Sequence, residues 1–198
     1  MLAWRVTLLL LMVACLSSFA WALRSHFVCH RMNILMRLTA GVGMVLGVLQ
    51  AMAIFLVASL HAVQFIISAL FYGVSLLIFW WTTTITRSRR LSVAFSADQP
   101  SHLLMNGPYR FVRHPFYSSY GLFWMAGFIA APRWYLLSGV MAMFLFYFLA
   151  ARMEEAKFTN SALSEAYKHY RSQTGMFLPR FRRISVANDG QLRVRHHE

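Results

Sequence analysis

From Leu38 to Thr86 the chain runs for 49 residues without a single Lys, Arg, Asp or Glu. Drawn out as one helix, that stretch would measure about 73 Å, more than twice the ~30 Å hydrocarbon core of a bilayer. It therefore has to fold back once. Its polar interruption, Ser59-Leu60-His61, is the expected turn, with spans of roughly 20 residues or a little more on either side. Val6–Leu23, Pro115–Ala131 and Trp134–Ala151 are further uncharged runs. Pro132-Arg133, a helix breaker followed by a charge, separates the last two, which read as a helical hairpin whose short first member leans on its neighbour. Composition agrees, with 59% hydrophobic and 13% charged residues and a mean hydropathy of +0.52. The expected fold is an all-α membrane protein of about five transmembrane helices, spans 4 and 5 forming the hairpin, with a cytosolic C-terminal amphipathic helix.

The formal net charge of +13 raises nucleic acid as a partner, but the placement of the charges argues against it. The arginines flank apolar runs instead of gathering on one solvated face. Arg24, Arg31 and Arg37 follow the first run, and Arg87, Arg89, Arg90, Arg110 and Arg113 follow the third. The opposite turns hold His61 and Arg133, with Arg5 beside the N-terminus. By the positive-inside rule the N-terminus lies outside and the C-terminus in the cytosol, in a bacterial inner membrane or, in a eukaryote, the endoplasmic reticulum. The leucine-rich start and Ala20-Trp21-Ala22 also resemble a cleavable signal peptide. Cleavage would turn both long basic segments outward, so the first span is read as retained. Cys15 and Cys29 suggest neither a disulfide framework nor a metal site.

Three regions result: an N-terminal three-span region over 1–86, a core over 87–181, and a basic, loosely held tail over 182–198 near anionic headgroups. Within the core, AKFTNSALSEAYKHYR places Phe158, Ala162, Ala166, Tyr167 and Tyr170 near helical spacing. An amphipathic helix ended by Gly175 is expected there.

Polar residues concentrate in three places at the cytosolic boundary: His102 with Tyr109, Arg113-His114-Pro115-Phe116-Tyr117, and Arg152 with Glu154-Glu155. Pro115 suits the first turn of a helix, and a helix start offers amides and partial positive charge to an anionic group. Arg110 and Arg113 serve equally well as headgroup anchors, so both readings stand. The Glu pair is harder to assign to topology, because acidic residues number only six in the chain. His61 and His102 fall on opposite sides of the membrane and cannot share a metal, and His196-His197-Glu198 is a solvated tail, so no metal is expected. Neither GxGxxG, a Walker loop, HExxH nor GxSxG occurs, which leaves soluble nucleotide-binding and hydrolase readings without their residues.

Taken in order, GPYRFVRHPFY, a hairpin, EE and AYKHYRSQTGMFLPRF resemble the isoprenylcysteine carboxyl methyltransferase family and its relatives among the phospholipid N-methyltransferases. The likeness spans roughly residues 98 to 181: His102-Leu103-Leu104 before Gly107-Pro108-Tyr109, then Arg113 to Tyr117, Glu154-Glu155, Tyr167 with Tyr170, and Leu178-Pro179. It implies S-adenosylmethionine held by His102, Leu103, Leu104, Tyr109, His114, Pro115, Tyr117 and Glu154, with a lipid-like acceptor entering between helices from the bilayer. An arginine near the Glu pair orients the acceptor in the family, and Arg152 is the nearest match. Two departures are that Ser119 stands where the family has glycine, and that the FG between EE and YxxY is absent.

The chemistry this implies is coherent, since transfer of an activated methyl mainly needs a nucleophile held in line. A carboxylate acceptor, such as that of an isoprenylcysteine or a similar hydrophobic acid, needs no base, and Arg152 would fix it. A phospholipid amine must first lose a proton, for which Glu155 or His114 is the candidate base. Outside catalysis, a membrane scaffold or haem-associated helper with the same fold is the competing class. Sterol reductases share a similar C-terminal arrangement in longer chains. A transporter is disfavoured by the absence of any charge from Leu38 to Thr86.

Overall fold

A computed structural model describes residues 1–25, 34–87 and 103–180, with side chains from residue 37 in the second segment. The helices are α1 (Leu2–Ser25), α2 (Ile34–Leu56), α3 (Ala62–Thr86), α4 (Pro115–Ala130), α5 (Trp134–Thr159) and α6 (Ser164–Gln173). A 3-10 turn over Gly107–Arg110 precedes α4. Among the described residues there is no strand, only a parallel bridge between Val112 and Gly175. Helices apolar all round satisfy their own backbone groups, which is the condition for crossing hydrocarbon. Four are long and apolar enough to do so: Leu2–Arg24, Arg37–Leu56, Ala62–Thr86 and Trp134–Thr159. The expected fourth span, α4, has only 16 residues and reaches about 24 Å.

Both expected fold-backs are present, at 57–61 between α2 and α3 and at 131–133 between α4 and α5. Arg5, near the start of α1, donates from its guanidinium to the carbonyls of Phe55, Val57 and Ala58. A cation thereby meets the negative end of α2, and the N-terminus and the α2–α3 turn share one end of the bundle. The backbone N–H of His61 donates to Gln64 Oε1 at 3.1 Å and so fixes the start of α3.

The tightest pairing is α3 against α4. Ser75 Oγ donates to the Ser119 carbonyl at 2.8 Å, and Ser119 Oγ returns a bond to the Ser75 carbonyl at 2.9 Å. Without a hydrophobic drive between helices in lipid, such polar clasps and close approaches hold a bundle together. Gln50, 2% exposed, lies against Gly127 and donates to the Tyr72 hydroxyl at 2.8 Å. A Cβ at Gly127 would fall 1.5 Å from Gln50 Nε2, so only glycine admits this contact. Leu8, Met12 and Cys15 of α1 complete the core with Ile54, Tyr72 and Phe123, while Met44, Leu77 and Trp134 face outward.

The expected single C-terminal helix is instead two. α5 continues past the Glu pair to Thr159, and Ser161 Oγ accepts the Leu163 N–H at 3.2 Å in the turn that follows. α6 then doubles back, stacking Tyr167 on Phe158 with ring centroids 4.9 Å apart. It ends at Gln173 rather than at Gly175, with the Thr174 N–H bonded to the Tyr170 carbonyl. His102, Cys29, Arg31, Arg89, Arg90 and the 182–198 tail lie outside the described residues.

Candidate active site

The segment leading into α4 is shaped by two glycines. Gly107 adopts φ +59, a left-handed conformation, and a Cβ there would lie 2.7 Å from Ile85. The turn it allows buries Tyr109, whose carbonyl accepts the Tyr170 hydroxyl at 2.7 Å. Gly175 lets the chain return closely on itself, since a Cβ there would overlap the Leu178 carbonyl at 1.8 Å. Residues 174–180 thus form a strap along 111–118. The Arg113 N–H bonds to the Gly175 carbonyl at 2.8 Å, the His114 N–H to that of Met176 at 3.2 Å, and Ser118 Oγ to that of Phe177 at 2.7 Å.

At the centre His114 sits between two carboxylates. Nδ1 lies 3.3 Å from Glu154 Oε2, and Nε2 lies 3.2 Å from Glu155 Oε1. A neutral imidazole has one donor, so donating to both carboxylates requires the imidazolium. Burial disfavours that charge, but hydrogen bonds and Coulomb attraction from Glu154 and Glu155 outweigh it, and the His114 pKa is raised above the ordinary histidine value. Glu155 also binds Arg113 Nε at 2.8 Å and approaches Arg171 Nε at 3.7 Å. Glu154 is more open, at 28% exposure against 5% for Glu155, and accepts the Tyr117 hydroxyl at 2.7 Å. Tyr117 in turn stacks on Tyr147 with centroids 5.5 Å apart.

Of the expected site residues, His114, Pro115, Tyr117, Glu154 and Glu155 converge at this end of α4 and α5, with Tyr109 buried beside them. Leu103 and Leu104 are half-buried in the irregular approach, while Arg152 is exposed on α5. The cations against the Glu pair are Arg113, which the sequence also allows as an anchor, and Arg171 of α6. Arg171 follows Tyr167 at i, i+4, which puts both on one face of α6 and was the available signal. An open basin of about 610 Å³ lies beside the cluster, lined by Arg113, Arg171, Arg180 and the 174–179 turn. Among the described residues no group of His, Cys, Asp or Glu is arranged to hold a metal ion.

The sequence model of the phospholipid methyltransferase family matches residues 63–166, more than half of the 198 residues. The chain belongs to that family. A search of curated proteins gave no match. The matched stretch of this membrane methyltransferase contains α3, α4 and α5 with the whole His114–Glu pair, whereas α1, α2 and the strap lie beyond it.

Proposed function

We propose that the methyltransferase uses S-adenosylmethionine to methylate the carboxylate of an isoprenylcysteine or similar hydrophobic acid. The chemistry of the donor set supports that cofactor. Glu154 offers a partly open carboxylate to a cationic ligand. His114, Pro115, Tyr109, Leu103 and Leu104 complete the binding set in this reading, with His102. When bound, S-adenosylmethionine supplies a methyl group already activated on sulfur, so the protein's task is to position and desolvate.

The observation that carries the carboxylate is the saturation of the would-be bases. His114 turns both ring nitrogens to carboxylates, and Glu155 gives its oxygens to Arg113, His114 and Arg171. An acceptor that needs no deprotonation fits such a site. Exposed Arg152, one helical turn before Glu155, is the cation to orient it, and Glu155 acts as a fixed pillar rather than a base. An amine headgroup is the second reading, favoured by the name of the matching family and by the open carboxylate of Glu154. In the proposed topology α4 is a short fourth span among five, the N-terminus lies outside and the site faces the cytosol.

The test is methyl transfer from labelled S-adenosylmethionine to matched prenylcysteine and aminophospholipid acceptors in detergent-solubilised protein. Base-labile methyl ester on the acid is expected, and label found only on the amine lipid replaces the carboxylate reading.

A further inference from the structure

His114 takes the cation position at Glu154, with Nδ1 3.3 Å from Glu154 Oε2. Its side chain is 9% exposed. Any cationic group that takes Glu154 must therefore displace this N–H or share the carboxylate with it.

The charges around the imidazolium decide between the two. Glu154 and Glu155 face it from α5, Arg113 from its own segment, and Arg171 from α6 by way of Glu155. The neighbouring tyrosines, Tyr117 on α4, Tyr109 in the 3-10 turn and Tyr167 on α6, are neutral near neutral pH. Two carboxylates thus already face three cations. A fourth cation held at Glu154 adds charge beside the buried His114, Arg113 and Glu155, although Arg171 is about half exposed, whereas loss of the Nδ1 proton restores the balance. The neutral ring keeps its Nε2–H on Glu155 and turns Nδ1 to the N–H of the cationic group that replaces its proton at Glu154, so both nitrogens stay engaged and neither is offered to the acceptor.

We infer that His114 is a placeholder cation for Glu154, and that binding of a cationic ligand there expels the Nδ1 proton to solvent. This rests on the reading of the site as the pocket for S-adenosylmethionine. Binding then tightens with rising pH, by about tenfold per unit at most, the limit for one proton.

The experiment is calorimetric titration of S-adenosylmethionine into the detergent-purified full chain near neutral pH, in phosphate and in Tris, whose heats of ionisation differ. The expected result is binding in both, with heats that differ by the release of a fraction of a proton up to one. Binding with equal heats in both buffers overturns the placeholder role while leaving the pocket assignment standing. Absence of binding in either buffer overturns the pocket assignment and the placeholder role together. In His114→Gln, which keeps an N–H donor but does not titrate, whatever binding remains is expected to give equal heats in both buffers. Proton release that persists in a folded variant assigns the proton elsewhere and overturns the inference. The wild-type titration decides the matter if the variant fails to fold or no binding remains.

Discussion

Arg113 and Glu155, 42 residues apart in sequence, meet through a 2.8 Å bond between Nε and Oε1, with side chains 10% and 5% exposed. This pair joins the segment before α4 to the end of α5, and Arg113 also reaches the carbonyls of Arg171 and Thr174. It therefore ties three parts of the chain together at one guanidinium.

Glu155→Gln is expected to destabilise the protein by about 3–5 kcal/mol, because Arg113 is left buried without its counter-charge. Glu154→Gln, at the more open carboxylate, should cost less stability but abolish cofactor binding. Thermal unfolding in detergent and calorimetry together separate the two effects. Equal loss of stability in both variants would contradict this division of roles.

Tyr117→Phe removes the 2.7 Å hydrogen bond to Glu154 but keeps the stacked ring. Bonds to charged groups contribute about 1.5–3 kcal/mol to stability, and cofactor affinity should fall because Glu154 is no longer held in place. Titration of the variant reads this directly, and unchanged affinity would place the ligand away from Glu154.

The raised pKa of His114 fixes the direction of a pH effect on the ligand-free protein. Since the folded state binds the proton more tightly than the unfolded state, the stabilisation is complete below the unfolded histidine value, near 6.5. It disappears as pH rises through the higher folded value. The wild type should therefore lose its advantage over His114→Gln as pH increases. Melting temperatures of both proteins across that range test the sign.

Arg152→Ala should raise the KM for a carboxylate acceptor while cofactor affinity stays unchanged. Steady-state kinetics with the acceptor varied, alongside cofactor titration, make the comparison. A selective loss of cofactor affinity would assign Arg152 to the other substrate.

The Ser75–Ser119 clasp predicts a smaller effect. Interhelical hydrogen bonds in membrane proteins average about 0.6 kcal/mol and reach about 1.7, so Ser119→Gly should cost roughly 1 kcal/mol. Ser75→Ala should cost about as much in the Ser119→Gly background as alone, because Ser75 Oγ donates to the backbone carbonyl of residue 119, which glycine keeps. A much smaller cost in that background would mean that the clasp runs through the two hydroxyls instead.

Helix positions were legible in the sequence because charge-free runs and their breakers report bilayer thickness directly. Ser59-Leu60-His61 and Pro132-Arg133 mark the two turns that the structure shows. The division between α5 and α6 was hidden, since Phe158, Ala162 and Ala166 keep the i, i+4, i+8 spacing of one continuous helix face. Phe158 and Tyr167, nine residues apart, would face opposite ways on such a helix and stack only because the chain turns between them. Among the site residues, the RHP segment and the Glu pair stood out by their chemistry. Arg113 did not, because an arginine at the end of a span looks the same whether it binds headgroups or a carboxylate that comes 42 residues later. Arg171 was obscured in the same way by its neighbours on an exposed helix.

The strap carries a consequence for how the protein is made. Chains leave the ribosome N-terminus first, and the Arg113 guanidinium must wait for the Thr174 carbonyl, which is synthesised 61 residues later. All long helices are complete before that point. A nascent chain halted after residue 173 should insert in the membrane yet remain unable to capture its methyl donor. On the proposed reading, binding of the methyl donor would begin only once the strap has been made.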